Sequence, residues 1–149
     1  MTRLKNWLPA LVMMALIFAA SSIPGDAMPS FDEFDFSVKK LGHSIGYALL
    51  AASYLRGLKS SNHEPQRAGA GGYKEREENS SSFLASFVTF VFKSPAFLAW
   101  LMAVLFAISD EFHQSFTPGR NPAVWDVVVY DSFGAIIGLL IFNRFSNSK

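Results

Sequence analysis

Cysteine is absent from the 149 residues. Disulfides, thiolate nucleophiles and Cys-ligated metal sites are therefore excluded, while the compartment stays open. Charge is also scarce, at 17% of residues, where a soluble domain carries about a quarter. The net charge of +1 gives no support to a nucleic-acid partner. A catalytic Ser paired with a base is not visible. No internal repeat is evident, and the length leaves no room for a second domain.

Half of the residues are hydrophobic, including 15 Phe. The charges gather between long stretches that carry almost none, as a bilayer would require: a charge at its centre costs about 2.5–3.5 kcal/mol or more. Four segments are candidates to cross: Trp7 to Ser22, Val38 to Leu58, Pro95 to Phe116 and Ala123 to Phe142. A spanning helix needs roughly 20 residues. The first is short unless its flanks contribute, and the second and third reach the length only with their polar ends inside. The expectation is an all-α, polytopic membrane protein: a single domain over residues 1–149 built as a four-transmembrane-helix bundle.

Arg3 and Lys5 ahead of a short apolar core, with Ala19-Ala20-Ser21 behind it, also fit a cleaved secretory signal peptide. The apolar run Phe83–Phe92 is too short for a fifth span. Lys93-Ser94-Pro95 interrupts it, because proline disfavours helix just before it. It reads as an interfacial segment or a kinked lead-in to the third span.

Lys and Arg set the orientation. With both termini in the cytoplasm, ten lie inside (Arg3, Lys5, Arg56, Lys59, Arg67, Lys74, Arg76, Lys93, Arg144, Lys149) and three outside (Lys39, Lys40, Arg120). The Ser-, Gly- and Glu-rich stretch from Lys59 to Ser82 reads as a flexible cytoplasmic loop, and His63 within it as solvated.

The ionisable residues that meet apolar segments all fall on the outer side. His43 lies about a turn inside the second span. Asp110, Glu111, His113 and Gln114 follow AVLFAIS without a break. Arg120 sits in the turn TPGRNP, Asp126 opens the fourth span and Asp131 lies deeper. Helical spacing puts Asp110 and Gln114 on one face, and likewise His43 and Tyr47. Gly42–Gly46 and Gly134–Gly138 are GxxxG patterns that let helices approach closely. Asp126 by itself would suit an interfacial or capping role, and Lys39 and Lys40 read as interfacial anchors. The adjacent Asp110–Glu111 pair needs a cation, a proton or donors such as Arg120 and His43, and points to a site.

These strings resemble the VanZ-like family: KKLGHSIGYALLAASYL from Lys39, SDEFHQSFTPGR from Ser109, Trp125-Asp126 and SFGAIIG from Ser132, with SSIPG from Ser21 matching the end of that family's first helix. The resemblance covers nearly everything outside residues 59–94. It implies a multi-pass protein of about four helices in the bacterial cytoplasmic membrane, with the first helix retained. The family's namesake is associated with low-level resistance to the glycopeptide teicoplanin. Its recurrent positions map onto His43, Tyr47, Asp110, Glu111, Gln114, Arg120 and Asp126. The family usually carries Asn or Asp four residues after the last of these; here Asp131 follows by five.

The chemistry expected is an outward-facing site for a cell-envelope lipid or lipid-linked precursor. His43, Asp110, Glu111, Gln114 and Asp126 are the candidate catalytic residues, His43 as proton donor or acceptor. Arg120, Tyr47 and Asp131 are candidate substrate-binding residues, Arg120 gripping a phosphate or carboxylate. A divalent cation is the cofactor to consider: His with carboxylates is a reasonable set for Zn or Mn, though the spacing is no established motif. Membrane lipids are the expected partners. Two other readings stay open: a non-catalytic protein binding a head group or partner, and a small proton-coupled transporter.

Overall fold

The computed structural model describes residues 2–28, 35–61, 93–146 and 148. Among them the structure is all-helical. Helix α1 is Thr2–Ser21, followed by a 3₁₀ turn at Gly25–Ala27. Helix α2 is Asp35–Ser61 and α3 is Pro95–Gln114. A π-helical segment, Asp126–Asp131, runs directly into α4, Ser132–Ser146. The predicted interfacial run 83–92 and residues 62–82 of the predicted loop lie outside the described residues. Lys59, Ser60 and Ser61, assigned to that loop by sequence, form the last turn of α2.

Among the described residues, length and apolarity qualify three stretches to cross a membrane, Leu4–Ser21, Pro95–Gln114 and Asp126–Ser146, where the sequence suggested four. The exception is α2. It is the longest of the described helices at 27 residues, but Lys39, Lys40, His43, Arg56 and Lys59 dilute its apolar character. The reason is its position: α2 packs against α1, α3 and α4. Much of its surface meets protein, so it need not be apolar all round. The first span is not short, because the helix begins at Thr2.

Small residues bring the helices together. Ala99, Ala103 and Ala107 are buried at four-residue spacing on α3, and the same face continues into buried Asp110 and Gln114. The stripe therefore aims the carboxylate inward. Ser94 caps α3, its side chain accepting the Phe97 N–H at 3.4 Å, and Pro95 starts the helix where a missing donor costs nothing. On α4, Gly134 and Gly138 face the backbone of Ser44 and Ala48 so closely that a Cβ on either would collide with a carbonyl. Of the two GxxxG patterns this one makes the close approach; Gly42 has open space in front of it. At the far end of the bundle Trp7 lies over Gly57 and beside Tyr54, and Asn6 donates to Ser60. Leu8, Leu16, Leu105, Ile108, Leu140 and Ile141 point outward, leaving the bundle's exterior strongly apolar.

Candidate functional site

The C-terminal ends of α1 and α3 and the N-terminal ends of α2 and α4 meet at one end of the bundle, and the polar residues collect there in two adjoining groups. The first centres on Asp110, 2% exposed. Its Oδ2 accepts from Ser21 Oγ at 2.7 Å, Gln114 Nε2 at 2.9 Å and Tyr47 OH at 3.4 Å. One carboxylate thus ties α1, α2 and α3 together. Ser21 is the residue that sequence reasoning missed here. Its signal was the SSIPG string at the end of the first helix.

The second group is His43, Glu111 and Asp131. One potential ligand atom from each lies within 4.8 Å of the other two. His43 Nδ1 stands 3.4 Å from Asp131 Oδ1, close enough for an ion pair but without the alignment of a hydrogen bond. The carboxylate of Asp131 is 2% exposed, and neither of its oxygens has a hydrogen-bond donor among the described residues. Glu111 Oε2 accepts the Ala123 N–H at 2.9 Å, which fixes the chain as it enters the π segment.

That segment accounts for the five-residue spacing. Ser132 N–H bonds to Val127 O, five residues back. Five residues of π-helix turn through roughly the angle of four in an α-helix, so Asp131 still arrives on the face that meets His43. Ser44 Oγ takes up the Tyr130 carbonyl at 3.0 Å within this distorted turn.

The remaining predicted residues are turned to other partners. Asp126 pairs with Lys40, which also lies over the Tyr130 ring. Lys40 is therefore a structural counter-ion as well as a residue at the helix end. Arg120 donates from Nη2 to Ala20 O at 2.7 Å and from Nε to Ile23 O at 3.1 Å, bonding one carbonyl in the last turn of α1 and one just beyond it. Gly25 N–H to Pro118 O, at 2.9 Å, closes the same corner. Gly119 adopts a left-handed φ of 71° there, and a Cβ on Gly25 would strike its carbonyl. His113 stacks on Phe18 with ring centres 4.2 Å apart and its Nε2 is 3.0 Å from Ser22 Oγ, apart from both groups.

A cleft of about 390 Å³ opens beside these groups. Lys39, His43, Tyr47 and Arg120 line it together with apolar Ile17 and Val38. A second, more apolar cleft of about 670 Å³ lies where Glu111 joins Val104, Ile108, Phe112 and Val127.

Fold and site together define a small helical protein with apolar outer faces and a polar cluster enclosed at one end of its bundle. Residues 6–146 match the family model described as VanZ/LLP1, so the chain belongs to the VanZ/LLP1 family. No curated protein and no solved structure matches the chain.

Proposed function

We propose that this is a polytopic protein of the bacterial cytoplasmic membrane that takes the anionic head group of an envelope lipid or lipid-linked precursor into the cleft beside His43. The carrying observation is the make-up of that cleft: cationic Lys39 and Arg120 and titratable His43 share it with apolar walls. A phosphate would meet the cations while its acyl chains stay along the outward-pointing Leu and Ile side chains. Family membership and the three apolar helices support a membrane protein. On this reading α2 crosses as the fourth helix, sheltered by the others; its 27 residues reach about 40 Å at 1.5 Å per residue. The asymmetry of Lys and Arg puts both termini in the cytoplasm and the polar end outside.

In the catalytic form of the proposal His43 moves a proton on the bound head group, with Glu111 and Asp131 setting its orientation. Asp110, Gln114 and Tyr47 position the helices rather than reach the substrate, as their mutual bonds favour. The extent of these internal bonds, shared by Arg120 and Asp126, also favours a second reading, recognition without turnover. Reconstitution into vesicles containing phosphatidylglycerol or a polyprenyl phosphate separates the two. Wild type is expected to bind these over phosphatidylcholine, with binding lost in Arg120→Ala. Turnover lost in His43→Ala and Glu111→Gln with binding retained supports catalysis; binding with no turnover in wild type supports recognition. Equal binding of anionic and zwitterionic vesicles by wild type and all three variants defeats the proposal.

A further inference from the structure

We infer that His43, Glu111 and Asp131 form a binding site for a divalent transition-metal cation, Zn²⁺ by preference. Three observations carry it. The first is convergence: residues from α2, α3 and the π segment bring one imidazole nitrogen and two carboxylate oxygens within 4.8 Å of one another. The second is the state of Asp131. Its side chain is buried, directed at His43, and without a donor to either oxygen, and His43 Nδ1 is likewise buried with no hydrogen-bond partner among the described residues. A buried carboxylate in that condition costs several kcal/mol unless a cation meets it. A protonated His43 would supply one positive charge for two carboxylates. Lys40 also acts on Glu111 and Asp131 through its charge while it pairs with Asp126, so His43 and Lys40 together offer two positive charges to three carboxylates. The third is spacing. The 3.4 Å between His43 Nδ1 and Asp131 Oδ1 exceeds a good N–H···O bond of about 2.7–3.2 Å. It is close to the edge of a tetrahedron whose metal–ligand bonds are about 2.0–2.1 Å.

An imidazole and two carboxylates suit Zn²⁺ or Mn²⁺ better than Ca²⁺ or Mg²⁺, which favour all-oxygen shells. Three protein ligands also leave a fourth position open. The Ala123 N–H on Glu111 Oε2 then acts as an outer support that holds one ligand in orientation. This inference goes beyond the lipid reading and does not depend on it, because the cation is held by protein groups alone; with the cation bound, His43 acts as a ligand and not as the proton carrier of the catalytic form.

The test uses the full chain purified in detergent without added lipid, stripped with chelator and exposed to Zn²⁺ alone. About one Zn²⁺ per chain is expected to remain through gel filtration, and Zn²⁺ should raise the unfolding temperature. Asp131→Asn and His43→Gln should each weaken Zn²⁺ binding by tenfold or more, whereas His113→Ala should bind as wild type does. Wild type holding no Zn²⁺, or the two ligand variants holding it with unchanged affinity, overturns the assignment. If either variant fails to fold, Co²⁺ bound to wild type decides: X-ray absorption should show one imidazole in a nitrogen and oxygen shell, and a shell without imidazole overturns it. Tighter binding of Mn²⁺ than of Zn²⁺ would overturn the metal preference. Lipid binding that fails while Zn²⁺ binding persists counts against the proposed function and not against this site.

Discussion

Asp110 and Asp131 are both 2% exposed and sit at the same end of the bundle, yet their surroundings differ. Among the described residues, Asp110 has three donors on Oδ2 and none on Oδ1, while Asp131 has none on either oxygen. The first is built to hold helices together and the second to meet a cation or a proton. Asp110→Ala should therefore strand Ser21, Tyr47 and Gln114 and lower stability by about 2–4 kcal/mol, since hydrogen bonds to a charged group contribute about 1.5–3 kcal/mol and buried orphans add to the loss. Asp126→Ala, which opens a partly exposed pair with Lys40, should cost within about 1 kcal/mol. Chemical unfolding in detergent compares the two, and a larger loss for Asp126→Ala would reverse their roles.

Two devices at the level of the element place these residues. One is the close contact of α4 on α2. Gly134→Ala should push the helices apart and cost about 1–3 kcal/mol, the range for overpacking. Gly42→Ala, facing open space, should instead gain about 0.5–1 kcal/mol from lower chain entropy. Thermal unfolding of the two variants should thus shift in opposite directions. The other device is the π segment. Deleting exposed Val129 makes the spacing from Asp126 to Asp131 four residues, which an ordinary α-turn accommodates on the same face. That deletion should keep Zn²⁺ binding, while inserting an Ala after Val129 should rotate Asp131 away and abolish it. Retention in the insertion variant would show that the register is not set here.

For the molecule as a whole, the outward-pointing apolar side chains and the polar end are what the proposed membrane reading requires. A reporter fused after Gly119 should appear outside the cell and one fused near Gly71 inside. A reporter at Gly71 on the outside would overturn the orientation. Because α1 supplies Ser21 to Asp110 and Trp7 to the far end of α2, removing residues 1–21 should destabilise the rest, a result opposite to that expected of a disposable leader.

Much of this was legible in the order of residues. Apolar runs and their lengths follow from composition along the chain, and alternation of the helices already put His43, Asp110, Glu111 and Asp131 near one end. The VanZ-like strings around Gly42–Tyr47 and Asp110–Arg120 carried the family. Which acid meets which base was not legible, because helical spacing fixes a face but not the neighbour that face will touch. Only tertiary packing decided that Asp110 takes Ser21 and Tyr47, that Lys40 occupies Asp126, that Arg120 turns to the end of α1, and that a π-turn brings Asp131 to His43. Each depends on how closely two backbones approach, and at Gly134 and Gly138 that distance is set by the lack of a Cβ against a partner more than eighty residues away in the chain.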